Sequence, residues 1–286
     1  MSTKEEEEVH QEVNEDLAAE KHKQGESKSY GSILKEQLEE GEETYDKSAG
    51  HVLMNSLTAG LEIGFSFFML CALFYFLEGK VSEEAQFKYL TLVYPLGFIL
   101  VVLGRSLLFT EQTSLLTLPV LNQKRSFREL MRLWGLVILG NLIGGYLIAL
   151  VLVWIGPMLH IYDSETIESI AHHITDFPAY VILVSAVLAG WLMGLLSWLC
   201  SSTRDTISKI VIIFIITGIM AFTGLHHSIV GSIEVFSGVI SGDTIGWSDY
   251  FSFQGMALLG NALGGAIFVA LLRYRAYQYN STADPD

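Results

Sequence analysis

Six apolar runs, each long enough to cross a membrane as a helix, constrain this chain more than any other feature of its sequence. A helix rises about 1.5 Å per residue, so about 20 mostly apolar residues span the hydrocarbon core of a bilayer. The sequence therefore predicts an all-α integral membrane protein with six transmembrane helices. The runs cover residues 53–77, 89–121, 132–156, 178–200, 209–241 and 253–272.

The second and fifth runs are too long for one crossing, at about 33 residues each, and both are interrupted. The second contains Pro95 and then Gly104, Arg105 and Ser106, and the fifth contains glycine, histidine and serine residues between 224 and 232. Irregular backbone at membrane depth is tolerated only where protein buries it or where it lines a cavity. We therefore expect helices 2 and 5 to be broken inside the membrane.

Charged side chains are concentrated in the first 50 residues. The chain is 51% hydrophobic and 17% charged, and residues 1–50 hold 15 of the 31 acidic and six of the 17 basic residues. This distribution excludes a soluble enzyme, a disordered chain and a disulfide scaffold. The absence of a basic stripe argues against nucleic-acid binding, and no motif implies a bound cofactor or metal.

The acidic amino-terminal region divides into two parts. Residues 1 to about 28 are rich in Glu and Lys and are expected to be disordered. Ile33, Leu34 and Leu38 then form a narrow apolar stripe. The stripe fits a short helix near 31–48 on the membrane surface, and a solvated helix fits equally well.

Lysine and arginine predict the orientation, because cytoplasmic loops carry an excess of both. Eight basic residues fall on one side of the predicted spans, whereas the other side has only Lys80 and Lys88 and the loop 157–177 has none. We expect both termini in the cytoplasm. The predicted regions are the acidic tail 1–50, a first three-span unit 51–156, an external loop 157–177, a second unit 178–275 and a short tail 276–286.

The two three-span units repeat each other. The pattern GNxxGG occurs at 140–145 and again at 260–265, an offset of 120, and the breaks at Gly104 and Gly224 show the same offset. An odd number of spans per unit inverts the second copy. Inverted repeats with broken helices at matching positions are typical of transport proteins with a site near the membrane midplane.

These residues resemble the formate–nitrite transporter family over about 30–275. The resemblance is carried by Leu108, Phe109 and Thr110 after the first break, by the two GNxxGG helices, and by 227–229 at the second break. More narrowly, 131–135, 230–234 and 247–249 are similar to the YfdC branch of that family. The family implies an aquaporin-like fold, a homopentamer in a bacterial inner membrane, and a substrate path through each protomer for small monovalent anions or their conjugate acids, with protons as a partner.

The resemblance also implies residues along that path. His227 matches the family's central histidine, and a buried neutral histidine can donate one hydrogen bond and accept another, so it could relay a proton to the substrate. Tyr94 and Met220 would line an outer constriction. Phe98, Leu108 and Met193 would line an inner one, with Phe109 and Thr110 in the omega-shaped loop beside it.

The chain departs from the family pattern at two places. No lysine occurs near the outer start of the fourth span, where residues 171–176 read AHHITD. Gly231 stands where the family has an asparagine, which removes a hydrogen-bonding side chain and is expected to widen the path.

Membrane-embedded charges add to these departures. Arg105 falls at the first break, where a lone charge is costly, so we expect it to pair with Glu62, Glu111 or Glu234, or to attract anions. Glu62 would repel anions if it were ionised on the path. Free N–H groups at the helix starts after the breaks could attract anions without a lysine.

Three other functions are weighed against anion transport. The missing lysine, Gly231 and Glu62 favour a channel for neutral or weakly basic solutes such as ammonia. An acidic tail could instead serve a membrane scaffold or sensor, although broken inverted helices would then be unexplained. A metal enzyme using His226, His227 and Glu234 is disfavoured, because their spacing lacks the i, i+4 pair of a zinc helix.

Overall fold

The computed structural model describes residues 28–283, with side chains described as far as 278; most of the segment expected to be disordered, 1–28, lies outside the described residues. Within 28–283 the chain is helical throughout and forms no strand. Its helices are α1 (Tyr30–Asp46), α2 (Ala49–Leu77), α3 (Glu83–Tyr89), α4 (Pro95–Gly104), α5 (Phe109–Leu121), α6 (Phe127–Met158), α7 (Ser164–Thr175), α8 (Ala179–Ser202), α9 (Thr206–Thr223), α10 (Ser228–Ser241), α11 (Trp247–Leu263) and α12 (Leu272–Ala283).

Six helical stretches in the described residues are long and apolar enough to cross a membrane, which confirms the predicted fold class. A 3₁₀ turn joins α3 to α4, and a π-helical segment, Gly264–Leu271, joins α11 to α12. The six stretches are Ala49–Leu77, Glu83–Gly104, Phe127–Met158, Ala179–Ser202, Thr206–Thr223 and Trp247–Gln278.

Each interrupted run contains one residue in the left-handed conformation. The second run stops at Gly104 and resumes as α5, and the fifth stops at Thr223 and resumes as α10. The left-handed residues are Arg105, with φ of 57°, and Gly224, with φ of 68°. The matching of Gly104 with Gly224 was therefore wrong by one residue, and a bulky side chain occupies the strained position of the first break.

The two units use the same pair of packed helices. α2 packs along α6 in the first unit, and α8 packs along α11 and the π-helical segment in the second. A Cβ added to Gly60 or Gly190 would collide with the backbone carbonyl of Asn141 or Asn261. The backbones approach so closely because only hydrogen stands at these positions.

The amino-terminal helix α1 packs on protein, contrary to the expectation of a membrane-surface or solvated helix. Ile33 and Leu34 are buried in a cluster with Leu118 of α5 and Trp198 of α8. Gln37 donates hydrogen bonds to Ser197 and Ser201 at the end of α8. The apolar side chains of α1 thus pack against side chains of α5 and α8 rather than against lipid.

The two ends of the helical body differ in what covers them. The tail end carries α1 and the turns near residues 122 and 204, and Lys124 there forms an ion pair with Glu42 at 2.6 Å. The loop end carries α3, α7 and the turn 242–246, and His172 of α7 contacts Thr244 there at 2.9 Å.

Candidate functional site

The two broken helices meet at one hydrogen bond inside the protein. His227, directly before α10, and Thr110, in the first turn of α5, lie with His227 Nε2 2.8 Å from Thr110 Oγ1. Both side chains are buried. Phe109 and Thr110, expected in a loop, are instead the first two residues of α5, and Leu108 is its N-cap. The resemblance placed Phe109 and Thr110 in a loop beside the inner constriction, whereas the helix already begins at Phe109 and Thr110 contacts the histidine.

Two asparagines hold the breaks in the same way. Phe109 N–H donates to Asn141 Oδ1 at 2.8 Å, and Asn141 Nδ2 donates to the carbonyls of Ser56 and Leu107. In the second unit, Ser228 N–H donates to Asn261 Oδ1 at 2.7 Å, and Asn261 Nδ2 donates to the carbonyls of Ala186 and His226. The asparagine of each GNxxGG motif therefore satisfies the backbone groups that its break leaves open.

His227 also caps the helix that follows it. Its Nδ1 lies 3.2 Å from the N–H of Ile229 and 3.3 Å from the N–H of Val230, and accepts from both. An imidazole nitrogen that accepts carries no proton, so the neutral ring holds its hydrogen on Nε2 and donates it to Thr110. The tautomer of His227 is thus set by the helix start, and Thr110 retains a hydroxyl hydrogen to donate elsewhere.

The helix starts offer few free N–H groups. At α10 the first three N–H groups bond to Asn261 and His227, and the fourth, from Gly231, bonds to the carbonyl of His227. The expectation that free N–H groups would attract anions there was wrong for this helix, because the two buried side chains occupy them.

A cavity of about 60 Å³ adjoins His227 on the side toward the loop end. This is several times the roughly 10–15 Å³ that one water needs by this measure. Tyr94 and Met220, expected at the outer constriction, line it together with His227. Phe98 packs edge-on against the His227 ring at 5.1 Å and tilts against Tyr94 at 5.3 Å. The inner trio Phe98, Leu108 and Met193 is fully buried and does not line the cavity.

Gly231 lies on the cavity wall, but the space that a side chain would take at this position is already filled. A Cβ at this position would collide with the ring of Phe253 from α11 and approach Ile174 of α7. The expected widening was therefore wrong, since an aromatic ring from another helix fills the place of the missing side chain. Phe253 and Ile174 also line the cavity, and sequence reasoning gave no signal for either.

Glu234 is the acidic side chain of this cavity. It lies seven residues after His227, so both fall on one face of α10 with Gly231 between them. The residue is only 5% exposed and lines the cavity, and no hydrogen bond or ion pair from a described residue reaches its carboxyl. It does not pair with Arg105.

Arg105 forms no ion pair with any described residue, and it is exposed. Pairing within the protomer with Glu62, Glu111 or Glu234 was therefore wrong. Glu62 lies beside Gly104 with Oε2 buried and without a partner, and Glu111 lies within electrostatic reach of Glu40 and Lys209. Spacing along the chain did not show which way these side chains point.

The loop end covers the cavity with a stacked pair of rings. His173 of α7 lies flat on Phe87 of α3, with ring centroids 3.6 Å apart and an angle of 9° between the planes. Partial burial, and secondarily the nearby Lys88, hold the pKa of His173 below its usual 6.5. Both rings line the small cavity and also a vestibule of about 520 Å³ above it, whose acidic residues are Glu83, Glu165, Glu168 and Asp176.

His226 has a structural place. Its Nε2 donates to the carbonyl of Ile174 at 3.0 Å, and its Nδ1 and backbone N–H both bond to Ser185 Oγ. Among residues 28–283, no group of three His, Cys, Asp or Glu side chains is arranged to hold a metal ion.

Comparison with known proteins agrees with this architecture. A family model described as formate/nitrite transporter matches residues 31–275. The inner membrane protein YfdC of Escherichia coli K12 is 31% identical over 243 residues, covering 82% of this chain and 75% of its own.

Two solved structures share the fold. One, described as an FNT family ion channel, superposes with a TM-score of 0.76 at 25% identity, covering 88% of this chain and 99% of its own. A pentameric formate channel with formate bound superposes with a TM-score of 0.65 at 19% identity, covering 80% and 98%. The names of these proteins describe transport and membrane proteins rather than enzymes. The chain belongs to the formate/nitrite transporter family.

Proposed function

We propose that this protein is a channel or transporter for small monovalent anions, or their conjugate acids, of the formate or nitrite kind. The observation that carries the proposal is the His227–Thr110 hydrogen bond, which joins the two breaks next to a cavity with mainly apolar walls. Family membership supports a substrate of this chemistry.

The assembly and its placement belong to the same proposal. The likeness to a pentameric channel supports a homopentamer with one path per protomer, and the likeness to YfdC supports a bacterial inner membrane. The basic residues near 124–132 and at 204 and 209 lie at the tail end, so the tail end faces the cytoplasm and the loop end faces outward.

The geometry suggests how such a substrate is held. A bare anion that enters an apolar constriction loses its hydration at large cost. Because the Nε2–H of His227 donates to Thr110 Oγ1, the hydroxyl hydrogen of Thr110 is the buried donor left to replace part of that hydration beside the cavity. If the substrate gains a proton before it passes Phe98, Leu108 and Met193, it crosses that trio as a neutral acid. Net symport of anion and proton then requires no large hinge motion.

Three observations favour a second candidate, a path for neutral or weakly basic solutes. No lysine or arginine lines the cavity, Glu234 does, and carboxylates surround the outer vestibule. All three would suit ammonium better than formate. A scaffold or sensor without transport has no such support, because the relatives are transporters and channels.

Uptake into proteoliposomes loaded with a pH dye separates these candidates. Formate, nitrite and ammonium are offered at two external pH values to the wild type, to His227→Ala and to His51→Ala, which removes an exposed histidine at the tail end. We expect formate and nitrite uptake to rise at acidic pH, to carry protons and to fall in His227→Ala only. Ammonium uptake without anion uptake would overturn the proposal in favour of the second candidate.

A further inference from the structure

Glu234 is a buried acid on the path whose carboxyl has no partner among the described residues. It is 5% exposed and lines the cavity beside His227. A carboxylate removed from water without hydrogen bonds is costly, so the resting group carries its proton. A neutral carboxyl in this place does not repel an arriving anion.

His227 is poorly suited to exchange a proton with the substrate. Its Nδ1 accepts from Ile229 N–H and Val230 N–H, so a proton placed on that nitrogen would abolish the cap of α10 and face two N–H groups. Its Nε2 already carries a hydrogen directed at Thr110. The ring can therefore orient the Thr110 hydroxyl that donates to a substrate, and both of its nitrogens are already engaged in hydrogen bonds.

The titratable groups that face Glu234 from neighbouring helices include no second carboxyl among the residues that line the cavity, so Glu234 is the acid of the cavity. His173 of α7 and Tyr94 of α4 line the same cavity, and Cys71 of α2 lies within electrostatic reach of the carboxyl. On its own helix it shares a face with His227. None of the cavity residues is a lysine or arginine, so no fixed cation holds Glu234 ionised.

We propose that Glu234 is the proton-exchanging group of the path, which rests on the anion transport proposed above. The O–H bond of the Glu234 carboxyl breaks as an O–H bond forms on the anion that the Thr110 hydroxyl, oriented by His227, holds, giving a Glu234 carboxylate and a neutral acid. Water from the loop-end vestibule returns the proton to Glu234. Because a buried carboxylate without partners is unfavourable, this return is favourable, and each anion moves with one proton.

The test compares Glu234→Gln with Glu234→Asp in proteoliposomes, following formate uptake, luminal pH and membrane potential together. Glutamine keeps the size of the side chain and loses the exchangeable proton, so we expect formate uptake to fall about a hundredfold, the lower range for a positioned acid–base group. The uptake that remains should carry charge without acidifying the lumen. Aspartate keeps an exchangeable proton and should keep one proton per formate. Ser237→Ala, a buried hydroxyl without a partner on the same helix, serves as the matched control.

The outcomes separate this inference from the proposed function. If Glu234→Gln takes up formate at the rate and with the proton ratio of the wild type, the role of Glu234 is overturned and the proposed anion channel is left intact. Absence of anion uptake in the wild type would overturn the proposed function itself. Ammonium uptake that is lost in Glu234→Gln would show a cation site and also overturn the inference. If Glu234→Gln fails to assemble, the test rests on the pH profile of coupled uptake in Glu234→Asp. The shorter carboxyl is expected to shift that profile, and a profile identical to that of the wild type would contradict the inference.

Discussion

The two breaks share one construction and differ in the left-handed residue and in the N-cap. Each contains a left-handed residue, an N-cap three residues later, and an asparagine from a packed helix that binds backbone groups on both sides of that N-cap. At α5 the N-cap is Leu108, which makes no side-chain hydrogen bond, and at α10 it is His227, which accepts from two N–H groups. The repeat thus contains the same hydrogen-bonded scaffold twice, but only the second copy has a titratable N-cap, His227.

The difference extends along the helices that follow. The face of α10 below His227 carries Gly231 and Glu234 toward the cavity. The start of α5 contributes Thr110 to the junction, while Glu111 lies near groups of the tail end. We infer that α5 mainly completes the donor pair, whereas α10 carries the groups that act on the substrate.

The largest expected effect comes from the asparagines, and it tests whether the two halves are equivalent scaffolds. Asn141→Ala and Asn261→Ala each remove three buried hydrogen bonds and leave backbone groups without partners. At about 1–3 kcal/mol for each orphaned group, either change is expected to prevent stable assembly. Size-exclusion chromatography and thermal unfolding in detergent measure this. If only one of these two variants assembled well, the two halves would not be equivalent scaffolds.

The next effect separates the two roles of His227, capping and donating. In His227→Ser the hydroxyl can cap α10, since serine is a favoured N-cap, but it is too short to reach Thr110. We expect a thermal midpoint near that of the wild type and formate uptake about a hundredfold lower, the size expected of a lost acid–base or positioning group. Leu108→Ser, at the equivalent position, is the matched variant.

Retention of wild-type uptake in His227→Ser would contradict the donor role and reduce His227 to a structural cap. Loss of assembly in that variant would instead show that the imidazole cap is needed for folding, and the comparison would then rest on the uptake of His227→Asn, which also caps.

A smaller effect concerns the left-handed residues. Arg105 adopts φ of 57°, which costs an L-residue about 1–2 kcal/mol relative to glycine, whereas Gly224 adopts its φ of 68° freely. Arg105→Gly is expected to stabilise the protein by about 1 kcal/mol and Gly224→Ala to destabilise it by a similar amount. Thermal unfolding of both variants measures this. Lower stability in Arg105→Gly would indicate that the exposed guanidinium makes a contact in the assembled protein.

The smallest effect is the pH dependence of the ring pair at the loop end. The pKa of His173 is held below its usual 6.5, so the unfolded histidine binds a proton before the folded one does. The stack on Phe87 therefore contributes stability above pH 6.5 that is lost as the pH falls through the lowered pKa. Thermal midpoints between pH 7.5 and about 5 should fall less steeply in His173→Phe than in the wild type. Equal slopes would assign the dependence to other groups.

Run length and glycine spacing were enough to predict the six spans, because bilayer thickness and helix rise leave little choice. The common offset of 120 paired Gly104 with Gly224 and so missed Arg105 as the left-handed residue. The asparagines of GNxxGG carried a further signal that was missed, because the motif was used only to identify the repeat and the family. A primary amide in an apolar run must find hydrogen bonds, and an interrupted helix is where unpaired backbone groups occur.

Contacts between distant segments could not be predicted in this way. Phe253 fills the space beside Gly231 from a helix more than twenty residues away, and no periodicity relates the two. The failure of Arg105 to reach Glu62, Glu111 or Glu234 has the same cause, because proximity along a broken helix does not determine side-chain direction. The resemblance to a family supplied His227, and only the hydrogen bonds to Ile229 and Val230 showed which of its nitrogens can act.

The central claim is that the substrate passes the junction of the two breaks together with a proton. The most direct measurement is the number of protons that enter with each formate in wild-type proteoliposomes whose membrane potential is clamped at several values. The account predicts one proton per formate and an uptake rate that does not depend on the potential. Uptake that carries net negative charge and varies with the potential would contradict it.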